Sequence, residues 1–197
     1  MSSVFSGGSL GRWFEQLCRI EHHRLRDLVI ESHEALGPNR LPRAGGVYAF
    51  WWTGDLCLLQ NCNRDLVLAG PAGRSVHLHI DDDWLGLMTQ QPIPLYVGKT
   101  ADSIANRIGQ HLRLKSIRML PLGGDATRSQ RPTTSCQLRA GVEHLFPEID
   151  DSRTLVLDNV GLSFVSLDGD AHAVNRFYLE DLAIGLMHPP LNVDIER

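Results

Sequence analysis

The sequence predicts an α+β fold: a small mixed or antiparallel sheet with helices packed on it. Three observations predict it. β-forming runs are short and spread along the chain, at 47–52, 94–97 and 160–167. Two stretches, 101–115 and 170–187, carry apolar residues suited to helices. The chain has 197 residues, 43% of them hydrophobic and 21% charged, which suits one globular domain of ordinary composition.

Taken in order, the elements have local causes. Residues 10–36 place Leu17, Ile20, Leu25, Leu28 and Val29 at helical spacing, and Gly37-Pro38 stops the run. A turn at 42–46 leads into the strand Val47-Tyr48-Ala49-Phe50-Trp51-Trp52, and Thr53-Gly54-Asp55 reads as a tight turn. Residues 56–59, 66–68 and 76–80 read as three further short strands, separated by turns at 61–63 and 70–73. The strand at 94–97 ends at Gly98. In the helix predicted over 101–115, Ile104, Ile108 and Leu112 form the buried stripe. Residues 121–132 are polar and basic and read as a loop, and Thr134 caps a short helix through Leu145. A strand follows at 160–167. Asp170 then caps an apolar helix that ends near Met187, where His188-Pro189-Pro190 forbids continuation. The expected organisation is a single domain over 1–197. It has an N-terminal helical extension at 1–37, a β-rich insertion at 53–91 and a basic segment at 113–139.

Composition excludes several classes. No uncharged apolar run approaches the ~18 residues of a membrane span. The first residues lack the basic stretch and apolar core of a secretory signal. Cys18, Cys57, Cys62 and Cys136 are too few and scattered for a disulfide framework, and read as reduced thiols of a cytoplasmic protein. The formal net charge is −4, which alone argues against a nucleic-acid partner. Its distribution argues the other way. Between Lys99 and Arg139 stand eight bases (Lys99, Arg107, Arg113, Lys115, Arg118, Arg128, Arg131, Arg139) and two acids, Asp102 and Asp125. A basic stripe on an acidic body is a local electrostatic footprint, whereas the plain alternative is a solvated, Arg-rich loop.

Three short stretches carry the chemistry. Gly46-Val47-Tyr48 opens a strand. Tyr96-Val97-Gly98-Lys99-Thr100 ends one, with Arg107 and His111 on the helix that follows. Glu180 lies inside the last helix, and Asn192 follows the Pro-Pro stop. In this order the set resembles the GIY-YIG nuclease family, with Gly-Val-Tyr at the GIY position and Tyr-Val-Gly at the YIG position. The resemblance runs from about residue 45 to 193. Tyr48 and Tyr96 stand 48 positions apart, whereas the family usually joins these strands by a short hairpin and some of its restriction enzymes insert more. The resemblance implies a metal-dependent endonuclease that leaves 5′-phosphate and 3′-hydroxyl ends. It implies one Mg²⁺ or Mn²⁺ ion per site, DNA (double-stranded) as partner, no membrane, and a monomer or homodimer of the restriction or defence type.

The residues support such roles on their own chemistry. Hydrolysis at phosphorus needs an activated water, a clamp for the extra negative charge and stabilisation of the departing oxygen. Glu180 can hold one hard divalent cation, because Mg²⁺ tolerates sparse protein ligation; the alternative is an ion pair with Arg176 four residues earlier. Arg107 suits a bidentate grip on phosphate, and His111, four residues on, shares its helix face. Tyr48 is the candidate general base. With a free pKa of about 10 it needs help from Lys99, from metal-bound water or from a relay through His111. Tyr96 and Asn192 are expected to orient water or phosphate, and Gly98 to let phosphate approach closely. Arg113, Lys115, Arg118, Arg128 and Arg131 are the expected backbone contacts. Cys57, Cys62, His77 and His79 invite a zinc reading, and Asp81, Asp82 and Asp83 a cation or a solvated turn. Trp51, Trp52 and Trp84 are candidates for stacking on bases or for core packing. The rival readings are a structure-specific or single-strand repair nuclease, a GIY-YIG fold that grips nucleic acid without cutting, and a zinc-stabilised interaction domain.

Overall fold

The computed structural model describes residues 8–19, 25–27, 41–69, 75–81, 92–112 and 137–192. At its centre is a three-stranded antiparallel sheet. β1 (Gly46–Trp52) runs between β4 (Ile93–Thr100) and β5 (Val160–Ser166), in the order β4-β1-β5. β1 is buried at all seven positions. That is why its sequence is a continuous apolar run without alternation: each face of the strand meets a packed layer.

Alternate side chains of β1 feed two cores. Tyr48, Phe50 and Trp52 join Tyr96 and Leu162 on one face. There they pack with Ile104 and Ile108 of α3 (Ile104–Leu112) and with Leu138 and Val142 of α4 (Gln137–Leu145). Val47, Ala49 and Trp51 join Val97 and Val165 on the other. That face is covered by Leu17 of α1 (Ser9–Cys18) and by Leu179, Ala183 and Met187 of α6 (Ala173–Met187). The fold is therefore α+β, with helices on both sides of a small antiparallel sheet. A separate hairpin, β2 (Asp65–Ala69) with β3 (Ser75–His79), packs through β2 against α4. Among the described residues no helix is long and apolar enough to cross a membrane.

Several expected elements differ. Residues 56–59 are not a strand but the start of α2 (Leu56–Gln60). The Asp55 side chain accepts from Cys57 N at 2.8 Å, and this N-cap settles four apolar residues into a helical turn. α5 (Ser152–Asn159) was not foreseen; Asp151 caps it by accepting from Thr154 N at 3.0 Å. Asp170 opens a 3-10 turn, Asp170–His172, rather than capping α6 directly. α6 ends where His188 adopts a left-handed conformation (φ 48°), just ahead of Pro189 and Pro190. The helix expected over residues 10–36 is not continuous: α1 ends at Cys18, where Arg19 is extended, residues 25–27 are helical again, and residues 20–24 and 28–40 lie outside the described residues.

Candidate active site

The first group of site residues is built by strand register and helix spacing. Tyr48 lies opposite Gly98, and Phe50 opposite Tyr96. Cross-strand partners share a face, so position 98 lies beneath the Tyr48 ring. A Cβ there would sit 2.6 Å from the Tyr48 hydroxyl and 2.9 Å from the Tyr96 ring, so only glycine fits. α3 then brings Arg107 and His111, one turn apart, onto the same hydroxyl. Arg107 Nε donates to Tyr48 Oη at 3.3 Å, and His111 Nε2 is 3.0 Å from it.

Proton positions follow from donor counting. Arg107 can only donate. The arrangement that gives the Tyr48 oxygen both a donor and an acceptor has its O–H donating to His111 Nε2, so the imidazole proton sits on Nδ1. That nitrogen is buried and has no hydrogen-bond partner. The ring is 1% exposed and boxed by Phe50 at 5.2 Å, Tyr96 at 5.4 Å and Tyr48 at 5.7 Å between centroids. Burial, with Arg107 and Arg139 nearby, pushes the His111 pKa down to about 3. Burial also pushes the Tyr48 pKa up to about 12; Arg107 opposes this and Glu180 adds to it. The pair is neutral at physiological pH, and His111 is a core residue rather than a rim residue.

This makes stability depend on acid in a stated direction. His111 binds a proton in the unfolded chain near pH 6.5 and in the folded chain only near pH 3. Its contribution is therefore complete above pH 6.5 and lost as pH falls towards 3, at about 1.4 kcal/mol for each unit of separation. Urea melts at pH 7 and pH 4 should show a larger loss for the native protein than for His111→Gln. Equal losses would mean that the imidazole is not kept neutral by the fold.

The second group lies on the other face, at the same end of the sheet. Lys99 is opposite Val47, one position beyond Gly98. Its ammonium forms an ion pair with Glu180 of α6 and stands 5.1 Å from the centre of the Phe177 ring. Glu180 is thus not paired with Arg176. The Arg176 guanidinium is buried and donates to the carbonyls of Leu167 at 2.6 Å and Gly169 at 2.8 Å. Glu180 still acts on Tyr48 electrostatically, so the two groups form one charged neighbourhood.

Asn192 has a different task from the one expected. Its Oδ1 accepts from Val97 N at 2.8 Å and its Nδ2 donates to Val97 O at 2.7 Å. Both ends of the carboxamide are spent on the outer edge of β4, where Leu191 N also donates to Leu95 O at 3.1 Å. Asn192 is a clamp on the strand that carries Tyr96 and Gly98.

Other expectations resolve as follows. Arg113, Lys115, Arg118, Arg128 and Arg131 lie outside the described residues, as do Trp84, Asp82 and Asp83. Arg139, counted in the basic stripe, is buried, with Nε 3.9 Å from Glu143 Oε1. Trp51 and Trp52 are core residues. Trp51 donates to Ser163 Oγ at 2.8 Å, while Trp52 donates to Asp55 O at 3.0 Å and stacks on Phe146. Cys57 and Cys62 are free thiols, and His79 pairs with Asp65 at 2.7 Å. Among the described residues no three or more His, Cys, Asp or Glu side chains gather as metal ligands. Sequence reasoning missed Phe50, Arg139 and Phe177 as members of the site. The one available signal was the four-residue spacing of Arg139 and Glu143. No family model, no curated protein and no solved structure matches the chain.

Proposed function

We propose that the chain is a GIY-YIG-type endonuclease that hydrolyses DNA phosphodiester bonds to 5′-phosphate and 3′-hydroxyl ends. The observation that carries this reading is the Tyr48 hydroxyl held jointly by Arg107 Nε and His111 Nε2. A tyrosine needed only for packing does not require a guanidinium and a neutral imidazole on one oxygen. Arg107 is half-buried over a Tyr48 that is wholly buried, so substrate meets the guanidinium first. Burial is the main reason His111 is neutral and Arg107 adds to it; a phosphate bound there offsets the Arg107 contribution, and His111 becomes a better acceptor for the Tyr48 proton. Tyr48 then takes a proton from the attacking water, and Arg107 offsets the charge that develops on phosphorus.

The carboxylate of Glu180 is a hard oxygen donor and suits one Mg²⁺ or Mn²⁺ with sparse protein ligation. Such an ion supplies a more acidic water and a counter-charge for the leaving oxygen. Contacts to the DNA backbone fall to Arg113, Lys115, Arg118, Arg128 and Arg131 of the basic segment, and selectivity to the N-terminal extension and the insertion at 53–91.

A second reading, a module that grips nucleic acid without cutting, is favoured by one observation: Tyr48 has no exposed surface. One experiment separates them. The protein is incubated with supercoiled plasmid, single-stranded DNA and RNA in Mg²⁺, and the ends are tested for ligation. Nicked or linear plasmid with ligatable ends supports the nuclease. Retarded but intact nucleic acid supports the module, and neither outcome removes both.

A further inference from the structure

Glu180 already has a cation. Its side chain is 14% exposed, and its carboxylate is met by the Lys99 ammonium, which arrives from a strand 81 residues away. A carboxylate with so little access to water is costly to keep charged without a positive partner. The same oxygens are the ones the nuclease reading assigns to a divalent ion. Among the described residues nothing gathers three ligands for such an ion, so its affinity depends on what else competes for this one carboxylate. Lys99 has a second favourable neighbour in the Phe177 ring, which is 44% exposed. A cation over an aromatic face is held by the ring's electrons, so an ammonium that leaves Glu180 keeps a seat beside it.

We propose that Lys99 is the resident counter-ion of Glu180 and competes with the divalent cation for that carboxylate. Metal binding then releases the ammonium to the substrate phosphate at the same end of the sheet. This rests on the nuclease reading for the identity of the incoming ion. It makes the free protein a weak metal binder that carries its positive charge in a side chain until an ion and a substrate arrive together. The backbone position of Lys99 is set by its pairing with Val47, so the exchange needs only the side chain to move.

Mn²⁺ binding, read by the loss of free-ion signal in electron paramagnetic resonance, tests this without any cleavage assay. Lys99→Met should tighten Mn²⁺ binding by about two- to fivefold, the span expected for losing a partly exposed ion pair. Lys99→Arg keeps the charge and should stay near the native value, and Glu180→Gln should remove the site. Thermal melts of the same variants establish that each is folded. Unchanged or weaker binding in Lys99→Met, with binding still lost in Glu180→Gln, overturns the competition and leaves the nuclease reading standing. Binding that survives Glu180→Gln, or binding in none of the proteins, overturns the competition and the metal assignment together.

Discussion

Tyr48→Phe is expected to slow DNA cleavage by about 10²–10⁴, the usual span for loss of a general base. The substitution removes one oxygen and keeps the ring, which packs against Phe50 and Tyr96. It also strands two hydrogen-bonding groups. Arg107 is half-buried and can turn to water, whereas His111 Nε2 is buried and loses its donor. An unsatisfied buried nitrogen costs about 1–3 kcal/mol, so melting must be measured beside activity. A folded variant with a rate loss in this span separates chemistry from stability. Arg107→Ala should cost a comparable amount, because the charge on phosphorus then has no clamp. Combined, the two should lose much less than the product of the single effects, since both serve one step. With a pKa near 12, Tyr48 as base is scarce at neutral pH, so the native rate should climb towards alkaline pH. Tyr48→Phe should flatten that climb. A variant that cuts at near the native rate would take Tyr48 out of the mechanism.

The sequence made part of this arrangement legible because some of its causes are local. The four-residue spacing of Arg107 and His111 puts them on one helix face, and both reach Tyr48. The continuous run from Val47 to Trp52 reads as a strand because every position is buried, and Gly98 is required by a ring that lies over its backbone. What was not legible depends on long-range register. Nothing local reveals that Lys99 faces away from Tyr48, because that follows from Val47 lying opposite Lys99. Glu180 has Arg176 one turn before it, yet its ion pair is with Lys99, because Arg176 is drawn inward by two carbonyls. Asn192 looks polar and free in sequence, and its use as a strand-edge clamp needs β4 in place. α2 departs from the expected strand for a local reason of a different kind. A single capping side chain, Asp55, outweighed a four-residue apolar run too short to define a period.

Glu180→Gln is expected to abolish cleavage while leaving the fold almost untouched, and the ion pair says why. The substitution keeps the shape of the side chain and removes its charge. Lys99 is 34% exposed and has the Phe177 ring beside it, so losing its carboxylate does not trap a bare ammonium in the core. Ion pairs of this partly exposed kind contribute about 0–1 kcal/mol, which should move the melting temperature by only a few degrees. DNA affinity should hold or rise, because one negative charge leaves a site that receives phosphate and the Lys99 ammonium is freed towards it. Cleavage should fall below detection, since a neutral amide oxygen is a much weaker ligand than a carboxylate for an Mg²⁺ held by a single side chain. Binding to a labelled duplex, cleavage of the same duplex and a melt of the same sample give the three readings together. If affinity and activity fall by one factor, Glu180 holds α6 against β4 and nothing more. If activity alone is lost, the Glu180 charge acts on the reaction.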